Sequence, residues 1–167
     1  MKFSHYQQLV RMMFEPDGEG GTTVHYDGTD VRQMHPLVLA YIGDAVFTLF
    51  VRTRLLDYEQ SHVQALNAFG AQIVSAVWQS RAYRGIESML TEEEKAVFRR
   101  ARNTKSHAPR SASVAEYHAS TGFEAVLGWL FLQKKEERLH DVQESAFSWI
   151  ARQMMTEIQN GKGIARD

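Results

Sequence analysis

The sequence of 167 residues contains no cysteine, and this absence removes several kinds of chemistry at once. Disulfide bonds, thiolate zinc sites and cysteine nucleophiles are all excluded. A small extracellular scaffold held together by disulfides is therefore excluded as well. The absence of thiols is compatible with a reducing compartment, and we expect a soluble, cytoplasmic protein.

Proline is also scarce, and the positive and negative charges nearly balance. The chain has 3 prolines and a formal net charge of −1 at pH 7. A nearly neutral chain exerts no global attraction on nucleic acid, so an RNA-binding surface would have to come from local clusters of Lys and Arg. The longest apolar stretch, residues 36–51, is interrupted by Asp44, and we expect it to be too short to span a bilayer.

The apolar residues that are present recur at helical spacing in most segments. No segment shows convincing alternation with a period of two, so the sequence predicts a single all-α domain. Residues 36–56 and 114–132 are apolar on nearly every face, which is typical of helices buried on all sides. Residues 61–83 are predicted to form one amphipathic helix. Residues 15–33, rich in Gly, Asp and Thr, are predicted to form a loop or a short hairpin.

Several helix boundaries are marked in the sequence. Thr91 with Glu94, and Ser113 with Glu116, have the spacing of capping boxes that open helices. A final long amphipathic helix is predicted to end near Gly161. The first residues of the chain are predicted to form a short amphipathic helix of their own.

Each of the two most apolar helices carries a single carboxylate near its middle, Asp44 in one and Glu124 in the other. An unpaired carboxylate taken out of water costs several kcal/mol, so each acid needs a partner. Lys and Arg are absent from the neighbouring turns, and a divalent cation shared by both carboxylates would satisfy the two acids together. Mg²⁺ prefers oxygen ligands, often one or two carboxylates completed by water and phosphate. The alternative is that Asp44 or Glu124 faces solvent or bonds a backbone group.

Small residues flank both acids and agree with this hypothesis. We expect them to leave room for waters and a phosphate beside the carboxylates. They are Gly43, Ala45, Gly122 and Ala125.

The segments around the two acids resemble the ribonuclease III family. Residues 37–56, LVLAYIGDAVFTLFVRTRLL, resemble the family's signature helix with its Gly-Asp-Ala step. Residues 120–132, STGFEAVLGWLFL, resemble its second acidic helix with the pattern Glu-Ala-x-x-Gly-x-x-x-Leu. With residues 90–106 between them, they resemble the compact Mini-ribonuclease III branch, a catalytic domain without an appended double-stranded-RNA-binding domain. The resemblance covers residues 30–167 and leaves residues 1–29 outside it.

The resemblance implies that Asp44 and Glu124 are catalytic metal ligands for Mg²⁺, and that loss of Asp44 harms cleavage most. The larger enzymes of the family carry a Glu and an Asp where this chain has Ala40 and Thr121, so the metal site is thinner and the number of ions stays open. The implied ion activates water for in-line attack on a phosphodiester.

The same resemblance implies the product and the partners. Double-stranded RNA would be cut to give 5′-phosphate and 3′-hydroxyl ends by a homodimer with two active sites. An excess of apolar surface on the two central helices is compatible with such an interface. For this branch the implied substrate is the 23S ribosomal RNA precursor, and whether a ribosomal protein assists stays open.

Basic residues gather between residues 99 and 110, with no acid among them. Double-stranded RNA is recognised mostly by its A-form shape through phosphate and 2′-hydroxyl contacts, which suits such a cluster. From the residues alone a solvated basic face is the alternative; with the resemblance, RNA contact is favoured. We assign His118 no metal and expect a packed or surface histidine. The predicted RNA-binding residues are Arg99, Arg100, Arg102, Asn103, Lys105 and Arg110.

Two other functions compete with a nuclease. A catalytically silent RNA-binding or ribosome-assembly factor could keep the same fold, but a fold kept only for binding has no reason to bury two acids. A plain helical interaction domain would have no affinity for RNA. Phosphate contacts, in contrast, weaken steeply as salt concentration rises.

Overall fold

The computed structural model of the chain describes residues 3–14, 18, 21, 29–105 and 112–161. Two compact units make up the chain, residues 1–33 and residues 34–167. The described residues form no β-strand, so the predicted all-α class is confirmed. The first unit contains α1 (Phe3–Met13) and a short 3-10 helix (Val31–Gln33). The second contains α2 (Pro36–Leu55), α3 (Val63–Ile73), α4 (Ala76–Ile86), a 3-10 helix (Glu87–Met89), α5 (Glu92–Arg102), α6 (Val114–Leu132) and α7 (Glu136–Gln159).

In the first unit, α1 lies where the sequence predicts a helix, and none of its residues is buried. Its apolar side chains, such as Phe3 and Tyr6, are exposed. Most of the predicted loop of residues 15–33 lies outside the described residues, apart from the 3-10 helix near its end. The limits of residues 1–29 and 30–167 for the N-terminal segment and the catalytic domain remain predictions.

α6 forms the centre of the second unit. Every residue from Ser120 to Leu130 is buried except Glu124, so the expectation of a helix buried on nearly all sides is confirmed for this part of α6. Apolar side chains such as Phe123 and Leu127 are completely inaccessible to solvent. A helix that is apolar around its whole circumference requires such enclosure, because each face must leave water.

α2 has a similar composition but a different environment. Leu39, Phe47 and Val51 are buried along one face, whereas Tyr41 is 76% exposed and Leu49 is 65% exposed on the other. The expectation that α2 is buried on all sides is therefore wrong. A mostly apolar helix shows which of its faces pack only when its neighbours are known, because its sequence has no polar side to indicate the solvent.

By length and composition, α2 is the one helix among the described residues that could cross a membrane. The helix continues past the apolar stretch of residues 36–51 to Leu55 and so reaches 20 residues. The core helix of a globular protein passes the same test, and α2 has one face packed against α6.

Two glycines bring α2 and α6 into backbone contact. A Cβ atom on Gly43 would collide with the carbonyl oxygen of Glu124, and one on Gly128 would collide with the carbonyl oxygen of Leu39. Only glycine permits so close an approach of two helices. The crossing places Asp44, the residue after Gly43, beside the middle of α6.

The segment predicted as one helix over residues 61–83 is in fact two helices. The chain leaves helical geometry at Ser75, whose ψ is 150°, and the Ser75 hydroxyl accepts a hydrogen bond from the Trp78 N–H at 3.5 Å. A serine side chain can replace a helical backbone bond in this way and start a new helix. The break lets α4 bury Trp78 and Ala82 while Val63 on α3 remains exposed.

Both predicted capping boxes are present, at Thr91 with Glu94 and at Ser113 with Glu116. Glu94 has a second role, because its carboxylate accepts hydrogen bonds from Arg138 on α7 at 2.8 Å. The Glu94 side chain is 3% exposed, so this ion pair ties the start of α5 to α7 away from water. α7 ends at Gln159, and Gly161 follows with a positive φ of 68°, which agrees with the predicted helix end.

Candidate active site

Asp44 and Glu124 line the same cleft, so the structure brings the two predicted acids together. The cleft has a volume of about 480 Å³ and lies between α2, the start of α4 and α6. Hydroxyl groups line it beside the carboxylates. The hydroxyl-bearing residues of its wall are Tyr41, Ser75, Tyr117, Ser120 and Thr121.

The two carboxylates have different surroundings. Asp44 reaches solvent, whereas Glu124 is partly buried. Burial raises the pKa of Glu124 from the ordinary value of 4.5 to about 8, and the negative charge of Asp44 adds to this increase. Burial also raises the pKa of Asp44. Two neighbouring carboxylates that both resist ionisation form a site that a cation would stabilise.

Neither acid has an ion-pair partner among the residues that the structure describes. In contrast, the buried Glu94 is matched by Arg138. A buried carboxylate without a basic partner is costly unless it is protonated or bound to a metal ion. The donor set of two carboxylates and nearby hydroxyls consists of oxygen atoms, which fits a hard divalent cation such as Mg²⁺.

The cleft wall includes the two positions at which the larger family members carry additional acids. Ala40 and Thr121 are both buried there, at 5% and 4% exposure. The Thr121 hydroxyl donates a hydrogen bond to the carbonyl oxygen of Tyr117 at 3.0 Å, so its oxygen can still accept one. Within the described part of the chain, no third His, Asp or Glu joins the acids in a metal-binding group.

The small residues beside the acids serve packing, which corrects the expectation that they make room for water and phosphate. Gly43 contacts the backbone of α6, and Gly122 lies against the ring of Phe98. Ala125 is completely buried. Only Ala45 is exposed among these four neighbours. Their small size therefore sets how closely the helices approach, and it is this approach that positions the acids.

One polar residue near Glu124 escapes the sequence analysis. Gln79 on α4 is fully buried, and its side-chain amide donates a hydrogen bond to the carbonyl oxygen of Val74 at 2.9 Å. A side-chain hydrogen bond from Gln79 lowers the pKa of Glu124, against the larger effect of burial. The side-chain oxygen of Gln79 has no hydrogen-bond partner among the described residues. The available signal was a glutamine among the apolar residues of an amphipathic helix, but periodicity alone does not distinguish it from a surface residue.

The predicted basic cluster does not form one surface. Arg99, Arg102 and Asn103 lie on one face of α5 and line a second pocket with α4 and α6. Arg100 points elsewhere, and its guanidinium donates to the carbonyl oxygen of Met34 just before α2, at 3.4 Å. Lys105 is exposed after the end of α5. Arg110, the sixth predicted residue, lies outside the described residues.

Comparison with known proteins identifies a sequence family. The family model described as the ribonuclease III domain matches residues 37–135, which include both acids and all of the α5 basic residues. A Mini-ribonuclease 3 from Clostridium tetani is 41% identical over 133 residues, which are 78% of this chain and 88% of that protein. A Mini-ribonuclease 3 from Symbiobacterium thermophilum is 46% identical over 118 residues, which are 70% of this chain and 91% of that protein.

A solved structure agrees with these matches. The X-ray structure of a protein from Fusobacterium nucleatum has a TM-score of 0.64 with this chain and is 36% identical to it. The match covers 70% of this chain and 94% of the other. Nearly the whole of that protein therefore corresponds to part of this chain.

Proposed function

This chain belongs to the ribonuclease III family and is an endoribonuclease of the Mini-ribonuclease 3 group, and on that premise we propose that Asp44 and Glu124 hold the Mg²⁺ with which it cuts double-stranded RNA. The family generally depends on divalent metal ions, and the choice of Mg²⁺ rests on the all-oxygen donor set of the cleft. The observation that carries the proposal is the presence of two carboxylates with raised pKa values and no basic partner in one cleft.

The residues of the cleft have different roles in this proposal. A divalent ion, when bound, would act as a Lewis acid that activates water and offsets charge on the phosphodiester. Glu124 supplies the rigid ligand, because its neighbours on α6 are buried and the Gln79 amide favours its ionised form. Asp44 supplies the ligand that faces solvent, where an RNA phosphate arrives. The Thr121 oxygen accepts a hydrogen bond from a water inside the cleft.

We further propose that two copies pair through the exposed apolar face of α2. Family members usually act as dimers, and two active sites acting on opposite strands require two copies. Tyr41 and Leu49 on this face are among the most exposed large apolar side chains of the chain. Together with Val38 and Ala45 they form one stripe along α2, at spacings of three and four residues. Such a stripe on a soluble enzyme is typical of an interface.

The natural substrate that we propose is a precursor of 23S ribosomal RNA, which places the enzyme in the cytoplasm. Support comes from the similarity to the Mini-ribonuclease 3 proteins, to which 78% and 70% of this chain align. Arg100, whose guanidinium reaches the residue before the Asp44 helix, and the exposed Lys105 would contact RNA phosphates. Assistance by a ribosomal protein would appear as faster cleavage of the precursor when that protein is bound to it.

The experiment that tests the proposal compares cleavage of an end-labelled RNA duplex by the wild type and by Asp44→Asn, with and without Mg²⁺. We expect metal-dependent cutting by the wild type and a loss in the variant larger than the about 10- to 100-fold that outer-shell changes cost. Asp57→Asn serves as the control, because Asp57 is an exposed carboxylate just after α2 and does not line the cleft. RNA binding by Asp44→Asn should persist, since the carboxylate repels phosphate.

Two outcomes would contradict the proposal. Normal cutting by Asp44→Asn would remove Asp44 from the metal site. Binding without cutting by the wild type in Mg²⁺ would favour a catalytically silent RNA-binding factor, with Ala40 and Thr121 as the cause. Calorimetric titration with Mg²⁺ separates these outcomes, because it measures the ion's affinity independently of cleavage.

A further inference from the structure

A second and larger pocket lies apart from the acidic cleft. Its volume is about 610 Å³, and it is formed by α4, the end of α5 and the start of α6. The stacked rings of Tyr83 and Phe98 lie in its wall, with centroids 3.4 Å apart. Its charged and polar residues include Arg84, Glu87, Arg99, Arg102, Asn103 and His118.

This pocket and the acidic cleft lie on opposite faces of α6. The cleft uses Tyr117, Thr121 and Glu124, which are spaced by three and four residues. The second pocket uses Ala115 and Ala119, which are also one turn apart. Ala119 and Thr121 are separated by two residues, or about 200° around a helix, so the two sets point in opposite directions. A ligand of the second pocket therefore does not enter the acidic cleft.

The arginines of this pocket have no ion-pair partner among the described residues. No salt bridge joins Arg84, Arg99 or Arg102 to a carboxylate. Elsewhere in the structure, Arg54, Arg81 and Arg138 each pair with a glutamate. The three guanidiniums outnumber the two carboxylates of the pocket wall, Glu87 and Glu116, so the pocket keeps an excess of positive charge.

The two carboxylates of the pocket already have hydrogen-bond donors. Glu116 accepts bonds from the backbone and hydroxyl of Ser113, at 3.0 and 2.7 Å, in the capping box of α6. Glu87 accepts a bond from the Tyr83 hydroxyl at 3.3 Å. Both acids therefore have local partners, and neither forms an ion pair with an arginine of the pocket.

One further feature favours an anion here. His118 lies in the pocket wall, and its Nδ1 atom is buried without a hydrogen-bond partner among the described residues. The start of α6 adds no free positive charge, because the Glu116 carboxylate already occupies it in the capping box. Arginines beside an unused ring nitrogen are groups that bind phosphate.

We propose that this pocket, formed by Arg84, Arg99, Arg102, Asn103 and His118, binds a phosphate group at a site separate from the catalytic acids. Guanidinium groups pair with phosphate oxygens through two parallel hydrogen bonds, and a phosphate has enough oxygen atoms to pair with more than one guanidinium. The phosphate belongs either to the RNA backbone beyond the cleavage point or to a free phosphorylated compound such as a nucleotide. The inference holds whether or not Asp44 and Glu124 bind Mg²⁺.

The first experiment titrates inorganic phosphate into the metal-free protein at constant ionic strength and follows backbone amide NMR signals. We expect saturable shifts at Asn103 and at Ala115 to Ala119. Arg99→Gln and Arg102→Gln should each weaken binding by about tenfold or more, because each removes a charged hydrogen bond. Arg152→Gln is the control, since it removes the same charge from an exposed position on α7 outside this pocket. Thermal unfolding of each variant checks that the fold is retained.

No saturable shift at these amides would overturn the proposal. An equal loss of affinity in Arg152→Gln would also overturn it, because general electrostatic attraction would then account for the binding. Cleavage plays no part in this measurement. A failure here is thereby distinguished from a failure of the proposed nuclease site.

A second experiment identifies the source of the phosphate. An RNA duplex is bound to Asp44→Asn, and inorganic phosphate or adenosine monophosphate is added at constant ionic strength. Competition with RNA, together with weaker RNA binding after Arg102→Gln, would assign the pocket to the RNA backbone. Binding of the small phosphate without displacement of RNA would assign it to a free phosphorylated compound. Either result supports a phosphate site. If Arg102→Gln changes the affinity neither for RNA nor for small phosphates, the proposal is refuted.

Discussion

α2 and α6 are similar in sequence and different in environment. Both are long, mostly apolar helices with one acid near the middle. α6 is enclosed over residues 120–130, whereas α2 buries only the face that packs on its neighbours. The same composition therefore serves two purposes. In α6 it forms the core, whereas in α2 one face belongs to the core and the other is the interface that we propose.

The two acids differ in exposure in the same way as the helices that carry them. Glu124 lies on the enclosed helix, and burial raises its pKa to about 8. Asp44 lies on the half-exposed helix and reaches solvent. A metal ion held between them would have one ligand fixed by the core and one open to substrate. The predictions below test this contrast between the two helices.

The largest effect is expected from Gly43→Ala. A Cβ atom at this position would collide with the backbone of Glu124, which cannot rotate away, so α2 and α6 must separate. We expect the free energy of unfolding to fall by about 3 kcal/mol or more, as measured by urea denaturation. The variant should also lose Mg²⁺ affinity, because the crossing positions both acids.

Gly70→Ala provides the matched control for this crossing. A Cβ atom there would meet only the Leu55 side chain, at an ordinary 3.6 Å. Alanine is favoured over glycine inside a helix by about 1 kcal/mol, so this variant should be unchanged or slightly more stable. Equal destabilisation by both substitutions would show that the α2–α6 contact has no special role.

The next effect concerns Glu124→Gln and its dependence on pH. The folded protein holds the Glu124 proton more tightly than the unfolded chain, so stability from this group is complete below about pH 4.5 and is lost as pH rises towards about 8. In a chelating buffer we expect Glu124→Gln to remove this loss. At about pH 8 the variant's free energy of unfolding should exceed that of the wild type by roughly 2 kcal/mol, a value that allows for the partial exposure of Glu124. Denaturation across this pH range measures it.

Two further measurements, on Asp44→Asn and with added Mg²⁺, test whether this pH dependence comes from Glu124. Asp44 is exposed, so its substitution should change the pH dependence less, mainly by removing the charge that raises the Glu124 pKa. Saturating Mg²⁺ should reduce the advantage of Glu124→Gln, because the ion stabilises both ionised carboxylates. A parallel pH dependence for wild type and Glu124→Gln would contradict the assigned environment of Glu124.

The smallest effect is expected from Leu49→Lys on the exposed face of α2. The monomer should remain as stable as the wild type, because Leu49 is 65% exposed. If this face forms the interface, the dissociation constant of the dimer should rise at least about tenfold, equivalent to about 1.4 kcal/mol. Sedimentation equilibrium measures this change. Val63→Lys, at a similarly exposed apolar residue on α3, should leave the dimer intact.

Local sequence signals predicted much of the secondary structure. The capping boxes at Thr91 and Ser113 depend on residues three apart, so their geometry is readable without the rest of the fold. The break at Ser75 was missed, because apolar residues keep helical spacing across it and the serine acts only when tertiary packing favours a new helix direction. The ion pair of Arg138 with Glu94 has no local signal in the sequence, because the two residues lie on different helices.

The sequence predicted the two acids of the candidate site but not the residues that surround them. Asp44 and Glu124 stood out because a carboxylate in an apolar helix is costly. Gln79 did not stand out, because glutamine is common on helix surfaces and only the packing of α4 makes it buried. The basic residues of α5 looked like one cluster, but adjacent residues of a helix point about 100° apart.

The sequence by itself determined the helical class, the two acids, the helix caps and the family, because these depend on residue chemistry at short or repeated spacing. Only the tertiary structure decided which face of α2 is covered, where α3 ends, and which arginines share the phosphate pocket with His118. Those features depend on contacts between residues far apart in the chain. Hydrophobic burial is non-directional, so an apolar pattern shows that a helix is packed but does not identify the helices that it packs against.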